Sequence, residues 1–172
     1  MSKYRSLNAW LAWIKAHHGK EIDLSLKRVA KIGTRLNLLR PTNPVITVAG
    51  TNGKGSCVAA LEAFYLAAGF KVGAFTTPYL IRYNEQVRVQ GHSVDDDLFC
   101  DAFDRIKEAC GQDTTLTLFE YGTLAAFTEF SSFLKSLFCM FMCLQRCRNC
   151  LISKHFSLFC YCIGLKRSRF SF

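Results

Sequence analysis

The stretch from Val45 to Ser56 constrains the fold of this chain more than any other part of its sequence. A short β-branched run, Val45–Ala49, breaks into a loop rich in glycine that also carries one lysine and one hydroxyl: Gly50, Thr51, Asn52, Gly53, Lys54, Gly55 and Ser56. The run is typical of a buried strand, and the composition after Ser56 is typical of a helix. Glycines let backbone N–H groups converge on an anion that any Cβ would obstruct. The stretch therefore predicts a strand, a phosphate-binding loop and a helix.

The loop is a variant of the general P-loop, G-x-x-x-x-G-K-[ST], which binds nucleotide phosphates. Gly55 stands between Lys54 and Ser56, and the spacing after the first glycine is shorter. The helix after the loop would direct its unpaired N–H groups and positive dipole end at an anion. A solvated loop without a ligand is the alternative, but the flanking strand and helix favour nucleotide phosphate.

A second strand is predicted just downstream. Gly69 ends the predicted helix, and Lys71–Phe75 has the pattern of a strand, so this region forms a βαβ unit whose strands are parallel. Thr77 then follows at the carboxyl end of the second strand, the edge at which open α/β sheets bind ligands. The fold class is therefore α/β: a doubly wound parallel sheet with helices on both faces.

Composition divides the chain near residue 130. Its 172 residues carry a net charge of +9, but residues 1–130 contain 15 basic and 13 acidic side chains and are almost neutral. The segment 131–172 holds the other seven basic residues, six of the nine cysteines and no acid. Because the predicted domain itself is not basic, we expect no nucleic-acid partner. We predict an incomplete domain over 1–130 and a Cys/Phe/Arg-rich tail over 131–172 that does not pack.

Three interpretations of the tail remain. A zinc site is disfavoured because one helix face, which would carry Cys139, Cys143, Cys147 and Cys150, cannot easily surround a tetrahedral ion. Basic residues interrupt the apolar runs short of the ~20 residues that a membrane span needs, although a basic segment on a membrane surface stays possible. The sudden loss of acids favours translation out of frame from near Thr128. No signal peptide is visible, so we expect a cytoplasmic protein without a membrane partner.

Several landmarks occur in the order found in one enzyme family. They are Ile22–Leu26, Thr47–Ser56, Ala67–Gly73, Thr77–Leu80, Arg82–Val89 and Leu116–Leu124. On these landmarks, residues from about 7 to 130 resemble folylpolyglutamate synthase/dihydrofolate synthase, a member of the Mur ligase superfamily. The resemblance implies a truncated N-terminal ATP-binding domain of a Mur-ligase-like fold.

The resemblance also implies an amide-forming ligase. Such enzymes use ATP and Mg²⁺ to phosphorylate a carboxylate of dihydropteroate or folate, and the amino group of L-glutamate then displaces phosphate. Activation is needed because a carboxylate is a poor electrophile. A P-loop module that binds nucleotide without ligase activity is the alternative, and in either case we expect a monomer.

The resemblance assigns roles to individual residues. The loop from Gly50 to Ser56 would hold the phosphates, with Lys54 as the catalytic residue, and Thr77 would bind Mg²⁺. Contacts to the pterin-bearing substrate would come from Asp23, Leu24, Ser25, Thr117, Leu118, Phe119 and Glu120. From composition alone, Glu120 is equally compatible with a solvated helix start and with a ligand contact.

The chain departs from the family at three places, one of which is Cys57, where a hydroxyl residue is common after Ser56. Tyr79 stands where the family usually has histidine. From near Thr128, where the family continues with a strand that carries a magnesium-binding glutamate, this chain has no acid after Glu129. We therefore expect that the chain alone does not make the amide.

Overall fold

The computed structural model describes residues 6–18, 26–39, 44–49, 52–133 and 138–144. A short 3-10 helix, Tyr83–Gln86, lies between the second and third strands. The other elements in chain order are α1 (Leu7–His17), α2 (Leu26–Arg35), β1 (Val45–Ala49), α3 (Lys54–Ala67), β2 (Lys71–Phe75), β3 (Val87–Val89), β4 (His92–Ser93), α4 (Asp96–Cys110), α5 (Leu118–Phe133) and β5 (Phe138–Leu144). None of the helices in these ranges combines the length and hydrophobicity that crossing a lipid bilayer requires.

The five strands form one mixed sheet in the order β1-β5-β2-β3-β4. The three strands β1, β5 and β2 are parallel, and β3 and β4 extend this core as an antiparallel ribbon. The predicted unit of β1, α3 and β2 is confirmed. Its two strands are not neighbours, however, because β5 lies between them and pairs with both.

Strand β5 comes from the segment that the sequence analysis assigned to the tail. Helix α5 runs to Phe133, and Phe138–Leu144 then enters the sheet with Met140 opposite Val45 on one side and Gly73 on the other. This differs from the expectation that the segment 131–172 does not pack. The physical reason is composition, since a central parallel strand is a continuous apolar run. The division into two domains stays a prediction.

Helices cover both faces of the sheet, as a doubly wound fold requires. Successive residues of a strand point to opposite faces. On β2, Val72 and Ala74 pack with Val58 of α3. Phe75 instead joins the larger core, which is built from α1, α2, α4 and α5. The sheet therefore separates α3 from the other four helices.

Aromatic side chains dominate the larger core. The ring of Trp10 is fully buried and packs against Trp13 and Phe103 with centroid distances of 5.4 and 5.8 Å. The ammonium group of Lys107 lies over the Trp13 ring, 4.3 Å from its centroid. Edge-to-face rings and cations over rings stabilise beyond the area that they bury. These contacts fix α1 against α4.

Candidate functional site

The start of α3 is shaped to receive an anion. Gly53 is the N-cap, has a φ of +74°, and provides no side-chain cap for the first helical turn. A methyl group placed on Gly53 or Gly55 would meet no atom of the described residues within 4 Å, so these residues leave the space at both glycines open. The side chains of Asn52 and Ser56 are exposed, and that of Lys54 is partly buried. Uncapped N–H groups beside open space are the arrangement that binds phosphate at helix N-termini.

Some predicted site residues lie outside the described residues. These are Gly50 and Thr51 of the loop, and Asp23, Leu24 and Ser25 of the predicted substrate contact. Their assigned roles stay predictions. The described part of the loop nevertheless begins at Asn52, three residues after β1 ends, so it comes after the carboxyl end of that strand.

The loop after β2 lies at the same edge of the sheet. Thr77 is partly buried there, and the amide of the preceding Thr76 donates to the carbonyl oxygen of Gln86 at 2.8 Å. The next residues are held by the carboxylate of Glu85, which accepts the amides of Leu80, Ile81 and Arg82 at 3.0, 3.3 and 2.8 Å. These bonds to Arg82 and Leu80 hold the pKa of the Glu85 carboxyl below its usual range. A single charged group therefore orders the exposed part of this loop.

Protonation of Glu85 should loosen that loop. Because its pKa is lower in the folded chain than in the unfolded chain, the stabilisation is complete above about pH 4.3 and is lost as the pH falls through the folded-state pKa. The Glu85→Gln variant should melt a few degrees lower than the unaltered chain at neutral pH. That difference should vanish in acid. Thermal melts between pH 7 and pH 3 would measure it, with Glu108→Gln on α4 as the control. A difference that does not depend on pH would contradict this account.

Residues Thr117 to Glu120 form the start of α5 and are tightly bonded. The amide of Glu120 donates to the Thr117 hydroxyl oxygen at 3.2 Å, and the amide of Thr117 donates to Glu120 Oε2 at 2.7 Å. This reciprocal pair is a capping box. Arg28 on α2 donates to both carboxylate oxygens of Glu120, at 3.1 and 3.3 Å. Glu120 is only 6% exposed, so the interpretation as a solvated helix start is wrong.

The other residues of this segment differ in exposure. Leu118 is partly buried, and its carbonyl oxygen accepts a hydrogen bond from the Tyr83 hydroxyl at 3.4 Å. Phe119 is 41% exposed, and its ring lies 6.3 Å from that of Phe75, the last residue of β2. Phe119 therefore presents an aromatic face near the carboxyl edge of the sheet. The structure brings it to the same edge as the α3 loop and Thr77, but on the opposite face of the sheet.

Two features of the site were not predicted from the sequence. The first is Arg28, the partner of Glu120, which lies 92 residues away in the chain. The second is an ion pair between Arg88 on β3 and Glu62 on α3, with Nη2 and Oε2 2.7 Å apart. Two local signals in the sequence mark the acidic partner of each pair. Thr117 and Glu120 have the T-x-x-E spacing of a capping box, and Glu62 is the only charged residue between Gly55 and Phe70.

A magnesium ion would find few ligands from protein here. Among the described residues, no group of three or more His, Cys, Asp or Glu side chains could hold a metal. Mg²⁺ nevertheless keeps several waters and is commonly bound by one or two side chains together with substrate phosphates. A single hydroxyl at the same edge of the sheet as the candidate phosphate site, such as that of Thr77, is compatible with that chemistry.

Comparison with known proteins agrees with this arrangement. A dihydrofolate synthase/folylpolyglutamate synthase of Escherichia coli is 48% identical over 120 residues, which are 70% of this chain and 28% of that enzyme. This chain resembles the N-terminal part of that family. The family resemblance predicted from the sequence is confirmed. The chain spans about a third or less of the length of the curated relatives that it matches, and no family model matches it.

Solved structures extend the agreement to the fold. The E. coli FolC structure in complex with DHPP and ADP has a TM-score of 0.77 and 41% identity, and the match covers 84% of this chain and 34% of that one. The Yersinia pestis bifunctional folylpolyglutamate synthase/dihydrofolate synthase complexed with AMPPNP and Mn ion gives a TM-score of 0.74 and 40% identity, covering 84% and 35%. The described α/β architecture is therefore that of the N-terminal part of these enzymes.

Proposed function

We propose that this chain contains the nucleotide-binding part of an ATP-dependent ligase of folate metabolism. The complete ligase would join L-glutamate to dihydropteroate or to a folate through an acyl phosphate. This chain, which spans about a third of its relatives, would bind nucleotide without making the amide. We further propose that it acts as a cytoplasmic monomer and does not bind nucleic acid or membranes.

One observation carries the proposal. The N-terminus of α3 has no side-chain cap from Gly53, faces open space, and follows a parallel strand at the carboxyl edge of the sheet. That geometry is suited to a phosphate group whatever the rest of the ligand is. Relatives solved with ADP and with AMPPNP support an adenine nucleotide as the ligand.

The described residues suggest how nucleotide would be held. Backbone N–H groups at Gly53 to Ser56 would bind phosphate oxygens, and Lys54 would place a positive charge beside them. A magnesium ion, when bound, would neutralise phosphate charge, and Thr77 would contribute a ligand to it. In the complete ligase, this positioning and charge neutralisation would accelerate phosphoryl transfer with little covalent chemistry from the protein.

The substrate contact is proposed for the start of α5. The exposed ring of Phe119 offers a flat apolar surface on which a pterin could stack. Glu120 would act less directly, since its carboxylate already binds Arg28 and the Thr117 amide. A structure of the E. coli relative with DHPP and ADP supports a pteroate-type substrate in the family.

The sequence of β5 bears on whether this chain could catalyse the ligase reaction. Strand β5, Phe138–Leu144, contains no Asp or Glu, so it supplies no carboxylate to a metal opposite the α3 loop. The two possibilities for this chain are therefore a working ligase and a nucleotide-binding module without ligase activity, and the lack of a carboxylate on β5 favours the module. Calorimetry with MgATP, combined with incorporation of labelled L-glutamate into dihydropteroate or folate, separates the possibilities.

We expect ATP binding and no glutamate incorporation by the purified 172-residue chain. Full-length E. coli dihydrofolate synthase/folylpolyglutamate synthase would be the positive control for incorporation. Glutamate incorporation by this chain would show that it is a working ligase. Absence of any nucleotide binding would contradict the proposal altogether.

A further inference from the structure

The side chain of Arg88 joins three elements of the chain. Its Nε and Nη2 donate to Oε2 of Glu62 on α3, at 3.0 and 2.7 Å. Its Nη1 donates to the hydroxyl oxygen of Thr76, at 3.2 Å, in the loop after β2. Arg88 itself lies on β3. One guanidinium group therefore connects the helix, the loop and the antiparallel ribbon.

Sheet register explains why Arg88 reaches the helix. Arg88 lies opposite Ala74 in the antiparallel pair of β2 and β3, and residues directly opposite share a face. Ala74 packs on the α3 side of the sheet, and its small side chain leaves room for a long neighbour. The side chains of Arg88 and Glu62 are 23% and 8% exposed. The planar guanidinium matches a carboxylate better than an ammonium group would, so its geometry is well defined.

The elements joined by Arg88 are those that carry the proposed phosphate-binding groups. Helix α3 begins with Lys54 at the anion site, and Thr76 directly precedes Thr77. The backbone bond from Thr76 to Gln86 joins the loop to the end of the 3-10 helix before β3. The Arg88 side chain continues that connection across the face of the sheet to α3.

We propose that Arg88 is a positioning residue, which holds the loop carrying Thr77 in a fixed place relative to the phosphate-binding end of α3. The inference rests on the proposed function for what these two elements bind. An ion pair with Glu62 alone would be a structural feature of the core. The additional hydrogen bond to Thr76 connects this ion pair to the loop that carries Thr77.

The Thr76→Val variant isolates this bond. It removes the hydroxyl acceptor at nearly constant volume and leaves the pair between Arg88 and Glu62 intact. In the nucleotide-free 172-residue chain, the amides of Thr76 and Thr77 should exchange with solvent about tenfold faster, the effect of losing one hydrogen bond to a charged group. The amides of α4 should keep their rates. Residue-resolved exchange by NMR measures both.

Two further variants complete the exchange experiment. Thr34→Val on α2 is the matched control, because it removes an exposed hydroxyl that bonds to the Ala30 carbonyl. It should leave the loop unchanged. Arg88→Lys keeps a positive charge for Glu62 but lacks the second guanidinium nitrogen that reaches Thr76. This variant should therefore also accelerate exchange of the Thr76 and Thr77 amides. Unchanged exchange at Thr76 and Thr77 in Thr76→Val would overturn the inference, and so would an acceleration that extends equally through α4.

Calorimetry with ATP tests whether the same variant also weakens the contribution of Mg²⁺ to nucleotide binding. The ratio of ATP affinity with Mg²⁺ to affinity without divalent metal should fall about tenfold in Thr76→Val and stay unchanged in Thr34→Val. An unchanged ratio in a chain whose nucleotide affinity responds to Mg²⁺ would overturn the inference. A chain that binds no nucleotide would contradict the proposed function instead, and the exchange rates would still decide whether Arg88 positions the loop.

Discussion

The Gly53→Ala variant should bind ATP about 100-fold more weakly than the unaltered chain, a difference of about 2.7 kcal/mol. Gly53 has a φ of +74°, and a methyl group at this position would project into open space. That space is the volume that we assign to phosphate, so the methyl group would prevent the first-turn N–H groups from reaching their ligand. The fold should tolerate the change, because the left-handed backbone costs alanine only about 1 kcal/mol.

Gly69→Ala is a close control for this experiment. Gly69 follows the other end of α3 and has a φ of +82°, and an added methyl there likewise meets no atom of the described residues within 4 Å. The backbone cost is therefore similar, and only the distance from the candidate site differs. Calorimetry should show ATP affinity within about twofold of the unaltered chain for Gly69→Ala. Equal losses in the two variants would mean that the phosphate site is not at Gly53.

Replacement of Glu120 by alanine should lower the free energy of unfolding by about 3 kcal/mol. The change removes half of the capping box at the start of α5 and leaves Arg28 without its carboxylate in a mostly buried position. Urea unfolding followed by circular dichroism would measure the loss. The effect should be present without any ligand, because the contacts of Glu120 are within the chain.

Asp96→Ala provides the comparison. The pair between Arg82 and Asp96 has an N to O distance of 3.0 Å, close to the 3.1 Å between Arg28 and Glu120. Its side chains are 65% and 42% exposed, against 23% and 8% for the buried pair. Exposed pairs contribute about 0.5 kcal/mol, so Asp96→Ala should change stability little. Similar losses in the two variants would show that burial does not set the strength of these pairs.

Local signals in the sequence were enough to predict the elements that flank the candidate site. The β-branched run before Gly50 and the helical composition after Ser56 predicted β1, the loop and α3, because each signal acts within a few residues. The carboxyl-edge position of Thr77 followed from the crossover rule. These inferences need no knowledge of distant contacts.

Contacts between distant segments could not be predicted in the same way. Arg28 and Glu120 are 92 residues apart, and Arg88 and Glu62 are 26 apart, so neither pair has a periodicity that marks it. The place of β5 was missed for a related reason. Its apolar residues resemble the rest of the tail in composition, and only the gap between β1 and β2 gives them a role.

Strand β5 completes the sheet through its backbone, although its side chains include no acid that could bind a metal. In the part of the chain that the structure describes, β5 is the only strand between β1 and β2. The first of these two strands leads to the phosphate loop, and the second leads to Thr77. A ladder of backbone hydrogen bonds is supplied equally by every residue except proline. An apolar run that follows α5 can therefore occupy this position whether or not it carries an acid. The two sides of the proposed nucleotide site can thus keep their spacing although the strand between them carries no acid.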